Sequence, residues 1–226
     1  MTPLFIHGAG ASPMVWRLQL LHFKGSLAVE LPGHPSGAGC STIEEYASSV
    51  EEYIGKKTVK DPVLVGHSMG GAIAITLALR NSDLAGLILV GTGARLRVHP
   101  NILSKIKENY EEASKLIGSW SVSPNSDPVI AERIAKELLQ MKPEVTYGDF
   151  IACDNFDRMN DVHKIACKTL IAVGADDLMT PVKYSQYLHE KIGKSKLVVI
   201  PGAGHSVMLE KHRSFNAAVQ DFLDSL

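Results

Sequence analysis

Six short runs of aliphatic and β-branched residues punctuate the chain, at residues 3–7, 27–31, 62–66, 84–91, 169–174 and 196–201. Several are apolar without interruption, the pattern of strands buried on both faces. Helical patterns lie between them at 42–54, 69–80, 181–192 and 206–226, with Ser41 or Thr42 placed to cap the first. Strand–helix alternation predicts an α/β fold, a parallel sheet of about six strands flanked by helices. Residues 95 to about 165 break the rhythm. Ile102, Ile106, Tyr110, Ala113 and Ile117 make one helical stripe; Ile130, Ile134, Leu138 and Met141 make another. Between them, residues 118–128 have the composition of a loop. The stretch reads as a helical cap inserted between two strands of one domain, leaving a core of residues 1–94 and 166–226.

The bulk numbers narrow the function classes. At 226 residues and 45% hydrophobic, the chain can bury the core of one α/β domain. A formal net charge of -1, with Lys and Arg scattered, leaves no footprint for nucleic acid and no basic stripe for a membrane surface. Cys40, Cys153 and Cys167 are odd in number and widely spaced, which argues against a disulfide framework or a zinc site. Reduced thiols in the cytoplasm are expected. Residues 1–8 lack the basic and apolar regions of a signal peptide, and no apolar run is long enough to span a bilayer.

The chemistry enters at Gly66-His67-Ser68-Met69-Gly70-Gly71, a G-x-S-x-G between a strand pattern and a helix pattern. That context predicts a nucleophile elbow. A serine on a sharp strand-to-helix turn is strained, and its neighbours two places away come close to other backbone, where glycine has no Cβ to clash.

An activated serine needs a base, and the base an orienting acid. Two strand patterns supply them at their carboxyl ends, where open α/β sheets bind ligands. One ends in Gly174-Ala175-Asp176-Asp177, the other in Gly202-Ala203-Gly204-His205. His205, after a glycine-rich turn, is the candidate base. Asp176 and Asp177 are adjacent and point in opposite directions on an extended segment, so spacing leaves the choice between them open. His67 reads as structural or as part of a pocket wall. His22, His34, His99, His163, His189 and His212 have no partner spacing and read as surface or core. An oxyanion hole needs two amides: Met69 N–H is one, and the loop at 6–12 supplies the other. A dinucleotide reading of Gly8 and Gly10 lacks its third glycine and its acid, and no phosphate loop occurs.

With these motifs in place the chain resembles the α/β-hydrolase superfamily over nearly its whole length. The likeness rests on His7-Gly8-Ala9-Gly10, Leu31-Pro32-Gly33-His34-Pro35, 66–71, 174–181 and 202–205. The resemblance implies Asp177 as the acid and the Ala9 amide as the second oxyanion donor, with Gly10 as fallback. The His-Gly motif follows the first strand pattern here, where the full fold has it after the third. A shorter sheet is expected, with residues 4–7 near one edge, a pairing hazard that dimerisation or an N-terminal cover would deal with. Leu31 stands where the family usually has Asp.

The expected activity is that of a carboxylesterase-like serine hydrolase acting on small to medium esters through an acyl-enzyme, without cofactor or metal, as monomer or homodimer. Activity should fall in acid as the histidine base protonates. Trp120, Tyr110, Met141, Phe150 and Phe156 are candidates for pocket walls or cap core. The superfamily also includes carbon–carbon bond hydrolases, thioesterases, lactonases and cofactor-free haloperoxidase-like enzymes. Dehalogenases and epoxide hydrolases use an aspartate where this chain has Ser68. A hydrolase-fold ligand receptor is a further alternative, which slow turnover with tight binding would mark.

Overall fold

The computed structural model describes residues 1–80 and 83–226. Six parallel strands form one sheet: β1 (Thr2–Ile6), β2 (Leu27–Ala28), β3 (Pro62–His67), β4 (Gly86–Val90), β5 (Thr169–Gly174) and β6 (Ser195–Ile200), in the order β2-β1-β3-β4-β5-β6. After β1 a short 3-10 turn leads into α1 (Arg17–His22), and α2 (Ile43–Lys57) precedes β3. Directly after β3 comes α3 (Met69–Arg80). Four helices lie between β4 and β5: α4 (Pro100–Glu108), α5 (Tyr110–Trp120), α6 (Pro128–Leu138) and α7 (Pro143–Asn155). The chain continues through α8 (Val182–Lys191) to β6 and ends in α9 (Val207–Glu210) and α10 (His212–Leu223).

The sheet is held by apolar faces on both sides. Alternate residues of β1 part company: Leu4 and Ile6 pack with α2 and α3, while Phe5 packs with Trp16 and with Phe215 and Val219 of α10. Strands β4 and β5 are buried at every position, as their uninterrupted apolar runs predict. The cap expected at Ser41 or Thr42 is made by Thr42, and as a capping box: its hydroxyl accepts the Glu45 N–H while Glu45 accepts the Thr42 N–H.

Three predicted elements are shorter or broken. The run at 27–31 is a strand only over Leu27–Ala28. Val29 still bonds to the Phe5 carbonyl, but Val29 and Leu31 are then buried as loop beneath α2, so their hydrophobicity marks burial rather than pairing. The fourth strand begins at Gly86, not residue 84. The helix expected over 206–226 breaks at Lys211, which leaves helical backbone at φ -127° and ψ 46°.

Of the two stripes predicted between β4 and β5 the first forms whole and the second in part, since Ile130 and Met141 lie outside the cluster and Met141 beyond the end of α6. Ile102, Ile106, Ala113, Ile117 and Leu138 meet Phe150 in a third apolar cluster, with Tyr110 and Ile134 against it. An antiparallel bridge between Arg95 and Asp157 ties together the two ends of this insertion. Sequence order reverses where β1 gives way to β3, so the crevice at their carboxyl ends is where this architecture places a ligand. Among the described residues no helix is long and apolar enough to cross a membrane.

Candidate active site

Ser68 is the single residue between β3 and α3, and it sits at φ 53°, a left-handed backbone that non-glycine residues rarely adopt. The turn is fastened from both sides: Ser68 N–H donates to the Val90 carbonyl at 2.9 Å, and the Thr92 hydroxyl donates to the Ser68 carbonyl at 2.9 Å. The glycines do what the pattern predicts. A Cβ on Gly66 would lie 2.2 Å from the Gly70 carbonyl oxygen, one on Gly70 2.3 Å from that of Ile6, and one on Gly71 2.5 Å from Thr92. Sharp turn, close approach and helix packing each require the missing side chain.

His205 lies almost fully buried on the loop after β6. Its Nδ1 donates to Asp177 Oδ2 at 2.9 Å. Asp177 also accepts the N–H groups of Met179 (2.9 Å) and Thr180 (2.8 Å) on Oδ1 and the Thr180 hydroxyl (2.9 Å) on Oδ2. Burial pushes the Asp177 carboxyl up, but the charge and hydrogen bond of His205 and the Thr180 donors outweigh it and hold the group below the usual aspartate range. Asp176 turns the other way and accepts the Ser123 hydroxyl at 2.7 Å. With Nδ1–H committed to Asp177, neutral His205 exposes an unprotonated Nε2. Ser68 and His205 line one pocket, without a hydrogen bond between them among the described residues. Such links often tighten only when substrate is bound.

The amides divide clearly. Met69 opens α3, so its N–H has no partner within the helix. Ala9 lines the pocket beside Ser68. Gly10 N–H is taken by Asp149 Oδ2 at 2.8 Å, which leaves the fallback donor occupied. Asp149, Tyr46 and His34 form a buried cluster behind this loop. Their partners lie 103 to 139 residues away in the chain, beyond any spacing rule.

A cavity of about 590 Å³ opens over Ser68. Leu96, Ile102, Trp120, Phe150 and Met179 give it apolar walls, and Arg97 and Lys183 stand among its lining residues. Trp120 and Phe150 are therefore wall residues, whereas Phe156 and Met141 are buried and Tyr110 is spent on the Leu138 carbonyl and the Thr146 hydroxyl. The insertion also braces the histidine loop. Ser206 N–H donates to the Ser121 carbonyl at 2.8 Å, and Glu210 accepts both Ser123 N–H (2.7 Å) and Gly204 N–H (2.9 Å). Among the described residues no three His, Cys, Asp or Glu side chains are grouped to hold a metal ion.

His67 Nε2 donates to the His205 carbonyl at 3.1 Å, and its Nδ1 has no partner among the described residues. Burial lowers the pKa of both His67 and His7 to about 3. From about pH 6.5 down to 3 these rings bind protons only in the unfolded chain. Their contribution to stability is therefore whole above that window and is lost as pH falls through it. At about 1.4 kcal/mol per group per pH unit, the pair removes about 5 kcal/mol between about pH 6.5 and 4.5. His34 has a raised pKa; its contribution is complete below 6.5 and is lost only as pH rises, so it adds nothing to the acid loss. The urea midpoint is expected to fall steeply between about pH 7 and 4.5. An unchanged midpoint would show that neither ring is held neutral.

A model of the alpha/beta hydrolase family matches residues 4–218. The chain is 28% identical over 250 residues to a pimeloyl-acyl-carrier-protein methyl ester esterase of Neisseria meningitidis, covering 98% of this chain and 76% of that protein. A solved thermophilic esterase superposes with a TM-score of 0.91 at 41% identity, over 99% of this chain and 89% of that one. An esterase from Exiguobacterium antarcticum superposes at 0.90 with 20% identity, over 99% of this chain and 92% of that one, a likeness of fold. The match across nearly the whole length, on a parallel sheet with the strained serine turn at its carboxyl edge, means that the chain belongs to the alpha/beta hydrolase family.

Proposed function

We propose that this protein is a serine esterase of small to medium carboxylic esters, working through an acyl-enzyme. Ser68 is the nucleophile, His205 the base, Asp177 the group that orients the base, and the Met69 and Ala9 amides the oxyanion donors. The observation that carries the reading is the His205–Asp177 pair at 2.9 Å, with His205 on the wall of the pocket that Ser68 also lines. The esterases among the similar proteins support it.

In this mechanism His205 Nε2 takes the Ser68 hydroxyl proton as Oγ bonds to the ester carbonyl carbon. The carbonyl oxygen gains the charge, facing donors already in place rather than water that must reorganise. The carbon–oxygen bond to the alcohol breaks, and the alcohol leaves with the proton from His205. Water then adds to the acyl-enzyme with His205 again as base, and Ser68 recovers its proton as the acid leaves. Residues 95–165 act as the cap that forms the acyl pocket.

The test is a series of 4-nitrophenyl esters from acetate to laurate. Turnover is expected to peak at short or middle chain lengths, because the cavity of about 590 Å³ is of limited size and has Arg97 and Lys183 among its otherwise largely apolar lining residues. A rate that rises steadily to laurate would oppose this acyl pocket. Parallel thioester and lactone assays separate the alternative chemistries of the fold.

A further inference from the structure

The buried cluster behind the oxyanion loop has no part in the steps above. Asp149, on α7, is fully buried. Its Oδ2 accepts Gly10 N–H and His34 Nε2, each at 2.8 Å, and its Oδ1 accepts the Tyr46 hydroxyl. The other ring nitrogen of His34 lies 2.9 Å from the Pro32 carbonyl oxygen. Both neighbours of the ring are acceptors, so both nitrogens donate and the ring is a cation. Its pKa is raised to match: burial opposes the charge, and the hydrogen bond and charge of Asp149 outweigh it. A buried ion pair of this kind is costly to assemble and more costly to break on one side. Here it anchors a carboxylate whose remaining task is the Gly10 amide.

That amide sits at the turn of the loop. Gly10 has φ +60°, and a Cβ there would lie 2.3 Å from Leu138 Cδ2. Within the loop, Ala11 N–H reaches the Gly8 carbonyl only at 3.3 Å. The short, charge-assisted bond is the one to Asp149. It draws the Gly10 N–H back toward α7, and Ala9 lines both the large cavity over Ser68 and, with Gly8, Gly10 and Ala11, the smaller pocket that Ser68 shares with His205.

We propose that Asp149 is the positioning residue of the oxyanion loop: by holding Gly10 N–H it aims the Ala9 N–H at the oxygen that gains charge when Ser68 attacks. The proposal rests on the serine-esterase reading and extends it to a residue that never touches substrate. The charge on that oxygen exists only in the transition state and the intermediate, so misaiming the donor lowers kcat and spares KM.

The experiment is Asp149→Asn, with kcat expressed per site titrated by an organophosphonate, so that unfolded molecules are not counted. Asparagine keeps the shape and puts a neutral oxygen before two donors. A kcat lower by about 10- to 30-fold is expected, below the roughly 10² to 10³ of a donor removed outright, with KM within about twofold. Tyr46→Phe, which removes the donor that fixes Oδ1 and so lets the carboxylate shift against the Gly10 N–H, serves if the Asp149→Asn variant does not fold. It is expected to lower kcat about threefold at unchanged KM, on the scale of one weakened hydrogen bond. An unchanged kcat per titrated site, or a loss carried by KM, overturns the proposal. Wild-type turnover and phosphonate labelling of Ser68 test the serine-esterase reading by themselves; the ratio of variant to wild type tests the loop.

Discussion

Alanine in place of Ser68 is expected to lower kcat for a 4-nitrophenyl ester by about six orders of magnitude. The substitution deletes one oxygen and little else. Ser68 already holds φ 53°, and alanine meets the same steric cost there, so the turn stays fastened by its Val90 and Thr92 bonds. His205 and Asp177 keep their own bond and have nothing to activate. What remains is whatever the two amides and the pocket do for a water molecule, a small residue of the whole. Steady-state rates checked against a phosphonate that labels wild type but not the variant make the measurement. An alanine variant within about tenfold of wild type would remove Ser68 from the chemistry.

The two adjacent aspartates are expected to separate widely. Asp177→Asn lowers kcat by about four orders of magnitude, because an amide N–H facing His205 Nδ1 favours the tautomer whose Nε2 carries the proton and cannot take another. The asparagine oxygen can still accept the Met179 and Thr180 N–H groups, so the loop has a reason to keep its shape. Asp176→Asn leaves an acceptor for the Ser123 hydroxyl and touches no ring, so its kcat stays within about threefold, the scale of one weakened neutral hydrogen bond. Rates for the two variants side by side decide it. The reverse ranking would mean that the orienting acid is Asp176.

The contrast also shows what spacing conveys. The turn around Ser68 was legible because every constraint is local: glycines at 66, 70 and 71, a strand before, a helix after. Strands β3 to β5 were legible because burial on both faces demands an unbroken apolar run. The choice between Asp176 and Asp177 was not, since a strand end presents both. Ser123, 53 residues upstream, takes one, and Thr180 with His205 takes the other. Asp149 carried no local signal, and His34 stood in a motif that did not give its partner, because their meaning lies in a contact across 115 residues. Val29 and Leu31 misled by being buried beyond the end of the strand they resemble.

The Arg95–Asp157 bridge brings the two ends of the helical insertion back to neighbouring strands. A segment whose ends already meet is entropically cheap to lengthen, shorten or replace, since loop closure grows only with the logarithm of length. On the serine-esterase proposal, acyl preference is thus a transplantable trait: a foreign insertion joined at residues 95 and 157 would bring its own pocket walls to an unchanged sheet. The graft has two obligations that its length does not reveal. It must return an acceptor to Gly10 N–H and a partner to Glu210, because the native insertion carries the fastenings of both active-site loops along with the walls of the pocket.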